Sequence, residues 1–154
     1  MRRAFVMAAF AVVLVGAAGP LRVETLEGEA VALALQPGER ALLVHFWASW
    51  CPECVEELPR LAAAVGRCRQ GGVRIVTVNV GEAPETVSHH LVRHGPGLPA
   101  LRDPAGRAWR SLGGVGLPAN ATETRAGRAV AFGARSAAVW AAELAALGCP
   151  PLSP

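Results

Sequence analysis

The chain has 154 residues, of which 52% are hydrophobic and 18% charged, and its formal net charge is +3. This composition excludes an intrinsically disordered chain, and the length suits one domain with a sizeable core. All the basic residues are arginines, and no stretch clusters them with aromatic side chains, so the sequence offers no nucleic-acid-binding face.

The N-terminal stretch has the three parts of a secretory leader. Arg2 and Arg3 precede an apolar run, and small residues follow that run up to Ala18. The run is shorter than the roughly 20 residues that a transmembrane helix needs. The sequence therefore predicts an exported, extracytoplasmic protein with a signal peptide at 1–18 and one domain at 19–154. An uncleaved N-terminal membrane anchor is the alternative reading of the first segment.

The predicted elements after the leader alternate between strands and helices. A Glu-Gly-Glu turn between two alternating stretches predicts a β-hairpin, and a later continuous apolar run predicts a strand buried on both faces. In chain order the elements are hairpin strands at 22–26 and 31–35, a strand at 41–47, a helix at 52–70, a strand ending at 80, a helix ending before Gly95, a strand within 98–103, a helical segment within 104–114, a hairpin turning at 125–127, and a helix between Ser136 and Gly148.

This order of elements predicts the fold class. The strand–helix–strand unit in the middle predicts a parallel pair joined by a right-handed crossover. The later hairpin adds antiparallel strands to the same sheet. We therefore expect an α/β fold with a central mixed β-sheet, helices on both faces and an extra N-terminal β-hairpin.

Two cysteines three positions apart, Cys51 and Cys54, lie between the buried strand and the predicted helix. Thiol–disulfide exchange needs a reactive thiolate and a second thiol that resolves the mixed disulfide. Cys51 begins the helix, where free N–H groups and the helix dipole stabilise a thiolate, and Cys54 lies one turn deeper. The alternatives are a permanent structural disulfide and a metal site, although a structural zinc site takes about four ligands. We assign no cofactor or metal.

The residues 46–61, FWASWCPECVEELPRL, resemble the TlpA/ResA-type thioredoxin-like thiol–disulfide oxidoreductases. That family carries Phe-Trp-Ala-x-Trp-Cys-x-x-Cys followed by Glu-x-Pro, here Glu57 and Pro59. The resemblance covers about residues 20–147. It implies a thioredoxin-like fold, protein thiols or disulfides as substrates, a membrane thiol electron donor, and a place in cytochrome c maturation, with apocytochrome c as a substrate.

The resemblance also implies two proton carriers. Glu57 matches the family's glutamate near the active site, and its alternative is a solvated helix carboxylate. His45 stands six positions before Cys51, where relatives usually carry asparagine and thioredoxins carry aspartate. A histidine there is suited to accept the proton of Cys54 near neutral pH. Its alternative is a core histidine bonded to the backbone.

Three residues are expected to bind substrate. Pro118 maps to the cis-proline of the fold, facing the cysteine pair, and the backbone of Leu117 would then meet an extended substrate. An ordinary loop proline is the alternative. Trp50, just before the nucleophile, would cover the site and shape the docking surface.

The residues that flank the cysteine pair bear on the direction of exchange. Glu53, Glu56 and Glu57 place negative charge near Cys51 and disfavour its thiolate, which favours a reductant. A disulfide-introducing oxidant and a Cu(I)-binding or metallochaperone module are the alternatives.

The polar stretch ANATET after Pro118 predicts an exposed or frayed edge strand.

The other two cysteines end two helices. Cys68 closes the helix that Cys51 begins, and Cys149 follows the last helix. In the thioredoxin-like fold these helices share a sheet face and run the same way. We therefore expect a structural disulfide between Cys68 and Cys149, with two unpaired thiols as the alternative.

Overall fold

The computed structural model describes residues 13–15 and 19–151. The predicted leader at 1–18 lies outside these residues, apart from 13–15. The described residues contain four helices and eight strands that form a single sheet. The strands are β1 Val13–Val15, β2 Leu21–Glu24, β3 Ala30–Leu33, β4 Ala41–Trp47, β5 Val73–Val80, β6 Ala100–Asp103, β7 Ala119–Thr124 and β8 Gly127–Phe132, and the helices are α1 Pro52–Gln70, α2 Pro84–His94, α3 Arg107–Ser111 and α4 Ala137–Leu147.

The strands follow the order β1-β8-β7-β4-β5-β6-β2-β3 across the sheet. β4, β5 and β6 run parallel to one another, whereas β7 pairs antiparallel with both β4 and β8. The N-terminal hairpin, β2 with β3, pairs antiparallel with β6. The predicted α/β class, with its mixed sheet and extra hairpin, is confirmed.

An apolar cluster covers each face of the sheet. Side chains along a strand point alternately to opposite faces, so β4 contributes Leu43 and Trp47 to one face and Val44 and Phe46 to the other. Helices α1, α2 and α4 pack on the first face, and α3 packs on the second. Every residue of β4 is buried, so His45 is held in the protein interior on the face that α1 and α4 cover.

The prediction that the polar ANATET stretch is an exposed or frayed edge is wrong. This stretch forms β7, which lies inside the sheet between β4 and β8. Ala119, Asn120 and Ala121 are buried. A buried amide is tolerated there because Asn120 lies opposite His45 in the β4–β7 pair and finds a polar partner.

Helix α1 is continuous from Pro52 to Gln70, with Pro59 inside it. Pro52 occupies the first helical turn, where its missing N–H needs no intrahelical partner. Among the described residues, no helix combines the length and the apolar character needed to span a bilayer.

Candidate active site

The paired cysteines stand where β4 gives way to α1. Cys51 is the N-cap of α1, and the backbone N–H of Cys54 lies 3.3 Å from the Cys51 Sγ. The two sulfurs form a disulfide, and the Cys54 side chain is completely buried behind Cys51. The strand positions the pair because Cys51 follows the buried β4 after a short turn, in which the Cys51 N–H donates to the carbonyl of Ala48 at 3.2 Å.

The rim of the site carries apolar groups and one carboxylate. Trp50, 69% exposed, directly precedes Cys51 in the chain. The Leu117–Pro118 peptide bond is cis, and Leu117 packs against the core cluster that includes both cysteines. The Glu53 carboxylate comes within 4.0 Å of the Cys51 Sγ. Glu53 therefore lies beside the Cys51 sulfur, and Cys51 is slightly less buried than Cys54.

A buried polar cluster lies on the same sheet face, beneath the helix that carries the cysteines. His45 Nδ1 is 2.9 Å from Asn120 Oδ1 and 3.7 Å from Glu57 Oε2. The backbone N–H of Arg135 donates to Glu57 Oε1 at 2.5 Å. The Trp140 ring packs edge-on against the imidazole, with 6.3 Å between ring centroids. Glu57 is therefore a buried carboxylate, not a solvated one.

Burial moves the pKa values of both candidate proton carriers. It lowers the pKa of His45 from 6.5 to about 4, and the positive charge of Arg135 lowers this pKa further. The hydrogen bond to Asn120 and the backbone of Cys54 both act in the opposite direction and raise it. Burial also raises the pKa of Glu57, against the hydrogen bond from the Arg135 backbone. Both shifts disfavour the charged forms, so burial favours a neutral imidazole and delays the ionisation of the Glu57 carboxyl group.

A third carboxylate, Glu82, fixes the loop that leads into Cys51. It accepts hydrogen bonds from the backbone N–H of Ser49 at 2.7 Å, from the Ser49 hydroxyl and from the side-chain amide of Asn79. Partial burial alone would raise the pKa of Glu82, but hydrogen bonds from Asn79 and Ser49 hold it below its ordinary value. Glu82 thus stays ionised and ties the end of β5 to the residues just before the disulfide.

Sequence reasoning did not identify Asn120, Arg135 or Glu82. Asn120 lies 75 residues from His45, and Arg135 lies 78 residues from Glu57. The only local signal was an isolated polar residue between two alanines in a strand, which we interpreted as an edge. The pairing of β4 with β7 is what gives that residue a buried partner.

The remaining cysteines meet at the opposite end of α1. Cys68 and Cys149 form a disulfide with a Cα–Cα distance of 4.2 Å, and both are buried. This bond joins the last turn of α1 to the residue that follows the cap of α4, far along the helix from Cys51.

The chain was compared with known families and structures. The AhpC/TSA family pattern matches residues 16–130. The thiol-disulfide oxidoreductase ResA of Halalkalibacterium halodurans is 34% identical over 80 residues, which cover 52% of this chain and 45% of that protein. The chain spans about half the length of the curated relatives that it matches.

Two solved structures share the fold. A thioredoxin family thiol:disulfide interchange protein from Chlorobium tepidum superposes with a TM-score of 0.68 at 23% identity, covering 93% of this chain and 100% of that one. A secreted disulfide oxidoreductase of Mycobacterium tuberculosis superposes with a TM-score of 0.69 at 22% identity, and the match covers 81% of this chain and 94% of that one. Their likeness shows a thioredoxin-like fold. The chain therefore belongs to the AhpC/TSA family, and the curated proteins that it is similar to include thiol-disulfide oxidoreductases named ResA.

Proposed function

We propose that this chain is an exported thiol–disulfide oxidoreductase that reduces protein disulfides through Cys51 and Cys54. The observation that carries the proposal is the placement of the pair: Cys51 caps α1 with the Cys54 N–H 3.3 Å from its sulfur. That N–H and the helix terminus favour a thiolate at Cys51. Cys54 is completely buried behind Cys51, so the Cys51 Sγ of a mixed disulfide is its natural target.

The reaction transfers two electrons to the substrate in two exchanges. The Cys51 thiolate attacks a substrate disulfide, one substrate thiolate leaves, and a mixed disulfide with Cys51 forms. Cys54 loses its proton and attacks the Cys51 Sγ, which forms the Cys51–Cys54 disulfide and releases the second substrate thiolate. His45 and Glu57 are the proposed carriers of the Cys54 proton.

The charge beside the nucleophile supports a reductase over an oxidant. Glu53 lies 4.0 Å from the Cys51 Sγ, and a carboxylate at that distance disfavours a thiolate. A less stable thiolate makes the reduced pair a better electron donor, because a strong oxidant is one whose reduced form is stabilised.

The substrate and partners follow from the family resemblance. Protein disulfides would dock over Trp50 and along the backbone at Leu117 and cis Pro118. Oxidised apocytochrome c is the proposed substrate, and a membrane thiol protein would return the pair to its reduced form. The N-terminal pattern of charged, apolar and small residues supports export.

The test measures both turnover and potential. The purified chain is expected to accelerate the reduction of insulin by dithiothreitol. Equilibration in glutathione buffers measures the reduction potential of the Cys51–Cys54 couple, which should be about −270 mV and not about −120 mV. Cys51→Ser should abolish turnover. Cys54→Ser should accumulate a mixed disulfide on Cys51 that captures the substrate.

The second disulfide offers a matched control. Replacing both Cys68 and Cys149 by alanine leaves the proposed reactive pair intact and should leave insulin reduction per folded molecule unchanged. Wild-type protein without turnover, or Cys51→Ser with full turnover, would refute the proposed activity. A potential near about −120 mV would keep the exchange chemistry but reverse its direction.

A further inference from the structure

The strand register sets a buried amide against the buried histidine. His45 on β4 is paired with Asn120 on β7 and with Thr77 on β5. The His45 and Asn120 side chains meet at 2.9 Å, whereas the Thr77 hydroxyl donates to the carbonyl of Pro99 at 3.0 Å. Asn120 is therefore the strand neighbour that contacts the imidazole.

The oxygens around Nδ1 select one tautomer of His45. Asn120 Oδ1 lies 2.9 Å from Nδ1, and Glu57 Oε2 lies 3.7 Å from the same nitrogen. The Asn120 carbonyl oxygen accepts hydrogen bonds and cannot donate, so the Nδ1 that faces it at hydrogen-bond distance is the nitrogen that carries the proton. In the neutral ring the lone pair is then on Nε2. Nε2 is buried and has no hydrogen-bond partner among the described residues.

We propose that Asn120 is a positioning residue that keeps the proton of neutral His45 on Nδ1, so that Nε2 is free to take the proton of Cys54. This inference deepens the proposed function and rests on it. The arrangement follows the logic of a nucleophile, a histidine base and an orienting group, with the Cys54 thiol as the nucleophile. His45 and Cys54 are both completely buried on the sheet face that α1 covers, and the Cys54 backbone raises the pKa of the imidazole, so the two residues are neighbours.

The proton transfer accompanies the resolving exchange. As the Cys54 sulfur attacks the Cys51 Sγ, its proton moves to His45 Nε2, the Cys51–Cys54 bond forms, and the bond from Cys51 to the substrate sulfur breaks. The substrate leaves as a thiolate with the bonding electron pair. The imidazolium that results keeps its Nδ1 proton toward Asn120 and Glu57, and an ionised Glu57 stabilises it.

Two charged side chains face this ring. Glu57 approaches from α1, and Arg135 acts from the segment before α4. The Arg135 guanidinium is paired with Glu143 at 2.8 Å and lies over the Trp140 ring, which limits its effect on the imidazolium. The strand neighbours of His45, Asn120 and Thr77, are uncharged. Asn120 therefore acts through hydrogen bonding, and its effect is separable from that of the charges.

Nitrogen NMR reports the tautomer without any assay of activity. The full chain has four histidines, so a two-bond ¹H–¹⁵N spectrum shows the ring signals of four side chains. The signal that is absent from the spectrum of His45→Asn belongs to His45. In wild type we expect the proton on Nδ1 and a bare Nε2. In Asn120→Leu, which removes the acceptor oxygen, we expect the Nε2-protonated form to gain population. A wild-type ring protonated on Nε2 would overturn the proposal.

Kinetics test the consequence of the tautomer. The measured quantity is the single-turnover rate at which a peptide thiol is released from its mixed disulfide with Cys51. Asn120→Leu should slow this release by roughly 10²-fold, the low end of what a positioned general base supplies. Asn120→Asp keeps an acceptor oxygen, so it should retain the Nδ1 proton and release within a few-fold of wild type. Its added charge should also move the acid limb of the pH–rate profile to higher pH.

Thr77→Val is the matched control, because it replaces the other strand neighbour of His45 with a side chain of similar shape. It should leave both tautomer and release rate unchanged. Asn120→Leu releasing at the wild-type rate, or Asn120→Asp as slow as Asn120→Leu, would overturn the role of Asn120. Absence of insulin reduction by wild type would instead refute the proposed function, so the two failures are distinguishable.

Discussion

His45 is a titratable side chain with no access to solvent, and its neutral form is stabilised by that burial. The unfolded chain exposes the same ring with an ordinary pKa of about 6.5. Between these two values the unfolded state binds a proton that the folded state does not. Glu57 acts in the opposite sense, because burial raises its pKa and its folded form holds a proton longer than its unfolded form.

We expect His45 to make the fold less stable in mild acid. Its folded-state pKa is lowered to about 4, so its contribution to stability is complete above pH about 6.5 and is lost as the pH falls toward 4. A shift of that size is worth about 3 kcal/mol. Urea unfolding of wild type and His45→Asn between pH 4 and 7 measures it. The wild-type free energy of unfolding should fall more steeply with acid. Parallel curves would contradict a buried neutral histidine.

The residues that lie within local motifs could be named from the sequence, and their distant partners could not. Cys51, Cys54 and Glu57 stand in one stretch with fixed helical spacing, so their relative placement follows from α1 alone. Asn120 and Arg135 reach the cluster only through strand pairing and through the packing of α4. Those contacts depend on the pairing register, which short-range periodicity does not specify.

At the level of elements, the ends of α1 and α4 approach closely through two glycines. A Cβ built on Gly71 would clash with the carbonyl oxygen of Gly148 and would also approach Pro150. Gly71 has φ −81°, which any residue adopts, so the requirement for glycine there is purely one of space. This close approach lets Cys68 reach Cys149.

Gly71→Ala is therefore expected to push the two helix ends apart. We predict a loss of about 1–3 kcal/mol in the free energy of unfolding, the usual range for overpacking a tight site. Gly66→Ala is the matched control on the same helix. A Cβ on Gly66 meets nothing within 4 Å, so it should stabilise α1 by about 0.5–1 kcal/mol. Urea unfolding of both variants decides, and equal effects would refute the steric argument.

The elements themselves were predictable because their signals are local. The continuous apolar run gave β4, and the caps Cys51 and Ser136 mark the starts of α1 and α4. The position of β7 was not predictable in this way. A strand with alternating small and polar residues looks like an edge when its partners are unknown, and here it is buried between two other strands.

In the whole molecule, the two disulfides lie at opposite ends of α1 and differ in how strongly they constrain the unfolded chain. Cys51–Cys54 spans three positions and restricts the unfolded chain little. Cys68–Cys149 spans 81 positions and joins the helix in the middle of the chain to its C-terminal end. An Arg67 guanidinium that donates to the carbonyl of Pro150 at 2.6 Å adds to this junction. The longer bridge constrains most of the domain.

We predict that removing the longer bridge costs stability and spares the chemistry. In the chain-entropy model a loop of this length contributes about 4 kcal/mol, so the double variant Cys68→Ala with Cys149→Ala should lose about that much free energy of unfolding. Urea unfolding in the oxidised state measures the loss. The reduction potential of Cys51–Cys54 should stay within a few millivolts of wild type, because the second bridge lies at the far end of α1. A shifted potential with unchanged stability would reverse the assignment of roles, and would mean that the far bridge acts on Cys51–Cys54 through the helix.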